Sequence, residues 1–293
     1  MKIRHYLYNA FIIEENNTKI ALDPGRDLWL LKLNSLIPKS EWEGVTHLCI
    51  THGDPDHFDY AIPLAKKTEA AVVCGEGLEE ELLAEDIENI HTIAVGGVTH
   101  VKGVTVEGLK TKHGPLPVKF AAGLMDMKNM TVEVNQGNQG GEEIFLGPLK
   151  IFDRKRQMQV RTHGTVKLFF GLIRLEKDNI HFACGSIGLK MTIGERTIVN
   201  LGDTVLQEGL EDLQPDVLMI PIGGREIPNT VDEREALNVV RLMQPKLVLP
   251  MHYNNDFLWK RNFNPADDAM FKREVEKMGI ECVIMKYGDE IHV

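Results

Sequence analysis

The chain has 293 residues, enough for one large domain with a substantial core, and its 43% hydrophobic and 26% charged shares are those of an ordinary globular protein. Its formal charge of −10, from 43 acidic and 33 basic residues, argues against broad binding to nucleic acid or an anionic membrane. The four cysteines, at 49, 74, 184 and 282, form no C-x-x-C pair, no run is long enough to span a bilayer, and Met1 to Phe11 lacks the apolar stretch of a signal peptide. A disulfide framework, a zinc finger and a membrane anchor are therefore not expected, and a reducing cytoplasm is the expected setting.

In chain order, residues 3–13 and 18–23 read as two strands joined at the turn E-E-N-N, the second stopping at Asp23-Pro24-Gly25. Asp23 reads equally as a turn-former or as a carboxylate facing a site. Residues 26–43 read as an irregular or helical connector. Val45 to Ile50 is a buried strand followed by T-H-G-D-P-D-H-F-D, which crowds His52, Asp54, Asp56, His57 and Asp59 into eight residues. Gly53 and Pro55 suggest a tight, non-helical path there, and Asp59 a cap for a helix through Lys67. Carboxylates packed this closely repel one another unless a cation lies between them.

A strand at 70–75, a short acidic helix at 78–84, a strand at 90–95 and a hairpin over 98–112 follow, the hairpin ending at His113-Gly114-Pro115. Residues 117–185 change character. A Met-rich piece containing Met125, Met127 and Met130 and the tract N-Q-G-N-Q-G-G precede several β-like runs, so this stretch reads as an inserted β-rich subdomain or lid. Two strands flanking G-E-R (194–196) then lead to Gly202-Asp203-Thr204, and a helix is expected over 208–213. After a strand at 216–221, Thr230 with Glu233 suggests a capping box for a helix to Met243. Lys246 to Met251 is a strand ending at His252. Asn264, as cap before Pro265, opens a helix that stops before Gly279, and a strand over 281–286 closes the pattern.

Strands thus end repeatedly in metal-competent side chains: His52, Asp54, Asp56 and His57, then His113, Asp203 and His252. Loops at one edge of a sheet share a common space, so the recurrence means more than any single residue. His47 reads as a packed, hydrogen-bonded strand residue. His5, His91, His100 and His292 lie at strand-like or edge positions, and His163 and His181 fall in the insertion. Arg225, in G-G-R-E, suits an anionic group or a surface ion pair with Glu226 or Glu233 equally well.

T-H-G-D-P-D-H resembles the T-H-x-H-x-D-H signature of the metallo-β-lactamase superfamily. His113, L-G-D-T (201–204) and P-M-H-Y (250–253) follow in that family's order, after an opening N-A-F-I-I-E…I-A-L-D-P. The runs 216–223 and 248–253 are most similar to the L-ascorbate-6-phosphate-lactonase-like metal-dependent hydrolases. The resemblance spans nearly everything outside 117–185 and implies an α/β fold, a four-layered αββα sandwich with the β-rich insertion.

It also implies two divalent metal ions. His52, Asp54 and His113 would hold the first, Asp56, His57 and His252 the second, and Asp203 would bridge them. Asp54 stands where the family usually has His; the added oxygen donors shift the expected ion from zinc towards manganese or iron. Such a pair makes hydroxide from water near neutral pH, with Asp56 orienting it and shuttling a proton. The expected activity is hydrolysis of a small, anionic ester, lactone or phosphodiester. A nuclease of the same superfamily and a non-catalytic metal-binding or sensor protein are the alternatives. A β-rich insertion with exposed edges also offers a route to a homo-oligomer.

Overall fold

Sixteen strands and five α-helices are formed over residues 1–6, 9–25, 38–58, 60–114, 130–135, 141–146, 184–211, 213–226, 228–254 and 264–293, which the computed structural model describes. The strands are β1 (Lys2–Tyr6), β2 (Ala10–Glu15), β3 (Thr18–Leu22), β4 (His47–Ile50), β5 (Ala71–Gly75), β6 (Ile90–Ile93), β7 (Val98–Val101), β8 (Val104–Leu109), β9 (Met130–Asn135), β10 (Gly141–Leu146), β11 (Gly188–Ile193), β12 (Arg196–Asn200), β13 (Val217–Pro221), β14 (Leu247–Met251), β15 (Glu281–Cys282) and β16 (Glu290–His292). The helices are α1 (Pro55–Phe58), α2 (Ala61–Thr68), α3 (Glu79–Ala84), α4 (Glu233–Met243) and α5 (Asp268–Glu276).

One seven-stranded sheet has the order β16-β1-β2-β3-β4-β5-β6 and the other β15-β14-β13-β12-β11-β8-β7. The two share a pattern. Strands β3 to β6 pair in parallel, as do β12 to β15, and antiparallel strands complete each sheet. Parallel strands need apolar residues on both faces. Accordingly β4, β5, β13 and β14 are buried at every position.

Alternate side chains of these strands feed different layers. Ile20, Cys49, Val73, Leu189, Met219 and Leu249 meet between the sheets. Leu48, Ile50 and Val72 turn outward to Phe58, Leu64 and Leu82 of α1, α2 and α3. On the far side Leu218, Ile220 and Val248 pack against Ala236, Val240 and Phe271 of α4 and α5. The result is the expected αββα sandwich.

Several local expectations are corrected. The run 3–13 is two antiparallel strands, β1 and β2, with Tyr6 opposite Ala10. Residues 208–211 form turns and bends instead of a helix; Gly209 takes φ 75°, and so short a segment cannot offset the cost of nucleating a helix. The capping box of α4 is Asp232 with Glu235, two residues later than expected. Asp232 is both a better cap than Thr and closer to the apolar run. Asn264 does not cap α5, because its amide donates to Gly223 O (3.3 Å); Asp267 caps that helix instead.

The closing strand is only Glu281–Cys282, and β16, unforeseen, pairs with β1. Tyr60 replaces Asp59 at the start of α2, with no side-chain cap. Asp59, the connector 26–37 and most of the expected insertion, including Met125, Met127, His163 and His181, lie outside the described residues. Within 117–183 the described structure is the β9–β10 hairpin.

Candidate metal centre

Five strands deliver polar side chains to one edge of the sandwich. Asp23 follows β3, Thr51 and His52 follow β4, His113 lies beyond β8, Asp203 beyond β12, and His252 follows β14. The turn after β4 runs directly into α1, which corrects the expected non-helical path. Pro55 opens the helix, where its missing N–H costs nothing, and His57 N and Phe58 N bond back to Asp54 O at 2.8 and 2.9 Å. One helical turn therefore carries Asp56 and His57 into the space that Asp54 and His52 face. Gly202 lets the two sheets' loops touch: its φ is 55°, and a Cβ there would lie 2.7 Å from Thr51 Cβ.

The structure brings all seven predicted site residues together. His52, His113 and Asp203 place one donor atom each within 4.8 Å of one another, and so do Asp56, His57 and His252. Asp54 Oδ2 lies 3.4 Å from His113 Nε2 and 3.7 Å from His52 Nε2, on the side of the first group. Asp203 lies between the groups, with Oδ1 3.4 Å from His57 Nε2 and Oδ2 3.5 Å from His113 Nε2 and 3.1 Å from His252 Nε2. Asp56 Oδ2 is 3.5 Å from His252 Nε2 and 3.8 Å from His57 Nε2.

Hydrogen bonds behind the imidazoles fix which nitrogen faces the cluster. Asp23 Oδ2 accepts from Thr51 Oγ1 (2.8 Å) and from His57 Nδ1 (3.0 Å). Having donated to Asp23, Thr51 Oγ1 can only accept from His52 Nδ1, at 3.0 Å. Gly114 O accepts from His113 Nδ1 at 2.6 Å. Three rings thus carry a proton on Nδ1 and turn Nε2 inward, the arrangement that acceptors behind metal-binding histidines impose.

His52 Nε2, His113 Nε2 and Asp203 Oδ1 are buried without a hydrogen-bond partner. Buried lone pairs of this kind, from three segments and aimed at one point, fit a divalent cation, and the mixed nitrogen and oxygen donors suit zinc, manganese or iron.

The electrostatics agree. Burial pushes His52 down to about 4, with His57 adding to the effect. Burial also opposes charge on His113, His252 and His57, but the carboxylates outweigh it. Asp54 and Asp203 lift His113 to about 10, Asp203 and Asp56 lift His252 to about 9, and Asp23 leads in lifting His57 well above its usual range. Burial resists ionisation of Asp203 too, yet His252 and His57 hold it well below the usual carboxylate range. A metal binding here would displace any proton that these imidazoles hold on Nε2.

Asp23 is a site-facing carboxylate, fully buried, and it also accepts from Thr51 N at 2.7 Å and Asn200 Nδ2 at 3.4 Å. Sequence reasoning missed three residues. Asn9 Nδ2 lies 2.7 Å from His57 Nε2, Asn200 supports Asp23, and Asn229 Nδ2 donates to Asp203 Oδ2 at 2.9 Å. Asn9 precedes β2 and Asn200 ends β12 at the site's edge, which is a usable signal; Asn229 sits in a loop that carries none. His47 is a packed residue, bound to Thr46 Oγ1 and Val101 O. The exposed Arg225 pairs with the buried Glu233.

The family model for the β-lactamase superfamily domain matches residues 2–145 and 173–252. The chain belongs to the metallo-β-lactamase superfamily. Relatives within it include a UPF0173 metal-dependent hydrolase of Nanoarchaeum equitans, 27% identical over 99% of both chains. Another is a UPF0173 metal-dependent hydrolase of Methanopyrus kandleri, 24% identical over 99% of this chain and 98% of the relative. The metallo-β-lactamase sandwich is also that of Igni18, a metallo hydrolase from Ignicoccus hospitalis. Its structure aligns with a TM-score of 0.64 at 18% identity, covering 99% of this chain and 98% of that one.

Proposed function

We propose that this chain, like the relatives named metal-dependent hydrolases, hydrolyses a small molecule with the help of two divalent cations, and that the substrate is an anionic ester, lactone or phosphodiester. One observation carries the reading: two three-residue donor groups adjoin at Asp203, which belongs to the first and reaches His57 and His252 of the second, with imidazole Nε2 atoms turned inward and buried. His52, Asp54 and His113 would hold one ion and Asp56, His57 and His252 the other, with Asp203 shared. The oxygen of Asp54 in the first group favours manganese or iron over zinc. Such ions supply Lewis acidity and bring the ionisation of a water close to neutral pH.

The remaining work falls to the chain's own side chains. Asp23, Thr51 and Gly114 hold three imidazoles in one tautomer, so no reorganisation is needed during turnover. Asp56 is the exposed member of the set: its side chain is 24% accessible, against 6% or less for the other six. It is therefore the carboxylate best placed to orient an incoming water and to take its proton.

A screen across lactones, phosphodiesters and phosphorylated sugars, with manganese, iron or zinc added, tests the reading. Asp56→Asn should lower kcat by about 100-fold or more. Hydrolysis that survives removal of all metal would overturn it.

A further inference from the structure

Asn9 is fully buried, and its position follows from the sheet. Phe11 of β2 pairs with Leu22 of β3, so the residues just before β2 reach the same edge as Asp23 just after β3. There its amide nitrogen lies 2.7 Å from His57 Nε2, while its carbonyl oxygen, Oδ1, is buried with no hydrogen-bond partner. His57 already gives its Nδ1 proton to Asp23, so Nε2 is the lone pair that a cation would take.

Once a cation takes that lone pair, the Asn9 amide loses its partner. A fully buried carboxamide with neither end satisfied is unfavourable, because each unpaired group has given up its hydrogen bonds to water. A half-turn of the amide gives its oxygen a partner without changing its shape, because oxygen and nitrogen are near-isosteric. It exchanges the two atoms, leaving oxygen about where nitrogen now sits, next to His57 Nε2. Donors bonded to one ion at about 2.0–2.1 Å lie about 2.9 Å apart when at right angles. The 2.7 Å separation is close to that spacing and joins the separations of 3.4–3.8 Å that Asp56 and Asp203 keep from the same nitrogen.

We propose that Asn9 is a further ligand of the metal centre, its Oδ1 turning to the ion held by Asp56, His57 and His252. The inference rests on the two-metal reading of that centre. A neutral carboxamide oxygen is a hard donor, like the carboxylate of Asp54, so Asn9 moves the donor set further towards oxygen.

Manganese binding to the full chain, by calorimetric titration and equilibrium dialysis, provides the test. Wild type should bind two ions. Asn9→Ala and Asn9→Leu should weaken one of the two by at least about tenfold and leave the other unchanged. Asn9→Asp, which keeps the oxygen and adds a charge, should bind that ion at least as tightly as wild type. Wild-type affinities at both sites in Asn9→Ala and Asn9→Leu would overturn the assignment and leave Asn9 a hydrogen-bond partner of His57 only. If those two variants fail to fold by circular dichroism, Asn9→Asp decides, and weakened binding there overturns it. The underlying two-metal reading fails separately, through the wild type itself, if that binds no manganese.

Discussion

Asp23 adopts φ 44° and His252 φ 55°, left-handed conformations that non-glycine residues hold at a cost of order 1–3 kcal/mol each. Both follow the last residue of a strand and both touch the donor cluster, so two of the nine described non-glycine residues with positive φ lie where side chains point inward. Asp23 gains three buried bonds from this posture, to Thr51 N, Thr51 Oγ1 and His57 Nδ1. Asn tolerates the same backbone region but lacks the charge that stabilises the His57 Nδ1 proton. Asp23→Asn should therefore fold, and should bind metal about 10–100-fold more weakly, read by equilibrium dialysis. Unchanged affinity would show that His57 does not depend on Asp23 for its orientation.

The elements differ in how plainly the sequence announces them. Strands β13 and β14, continuous apolar runs, and β4, apolar after His47, are legible because burial on both faces leaves no other pattern. The strand β16 is not. Its three residues, Glu290, Ile291 and His292, are mixed in polarity, and what holds them is long-range pairing with β1 and an ion network. Arg4 Nη2 meets Glu14 Oε1 at 2.6 Å, Arg4 Nε meets Glu41 Oε2 at 2.9 Å, and Arg4 Nη1 meets Glu290 Oε2 at 3.1 Å.

Burial alone would raise Glu14, but Arg4, Lys2 and Lys19 hold it down at about 2. A carboxylate lowered in the folded state adds stability above its unfolded value, about 4.3, and loses it as pH falls towards the folded value. The urea midpoint should drop as pH is lowered from about 4.5 to about 2, and Arg4→Met should flatten that part of the profile. An equally steep profile in Arg4→Met would place the acid sensitivity elsewhere.

Across the whole molecule, the seven clustered residues were legible because strand ends on one edge must share a space and the chain repeats metal-competent types at those ends, whereas the αββα sandwich followed from the family resemblance. The supporting shell was not. Asn9, Asn200 and Asn229 are short polar residues of a kind found at many turns and strand ends, and the packing of two sheets against each other brings them to the centre. The contribution of both sheets to one centre has a further consequence. His52, Asp54, Asp56 and His57 come from the first sheet's edge, and His113, Asp203 and His252 from the second's, so the carboxylate between the groups joins the halves.

The central claim is that two cations are held around Asp203. Native mass spectrometry of the chain with manganese measures this directly. Wild type should carry two ions, and Asp203→Ala should lose both at concentrations that saturate wild type. Two ions retained in Asp203→Ala, or none bound by wild type, would contradict the account.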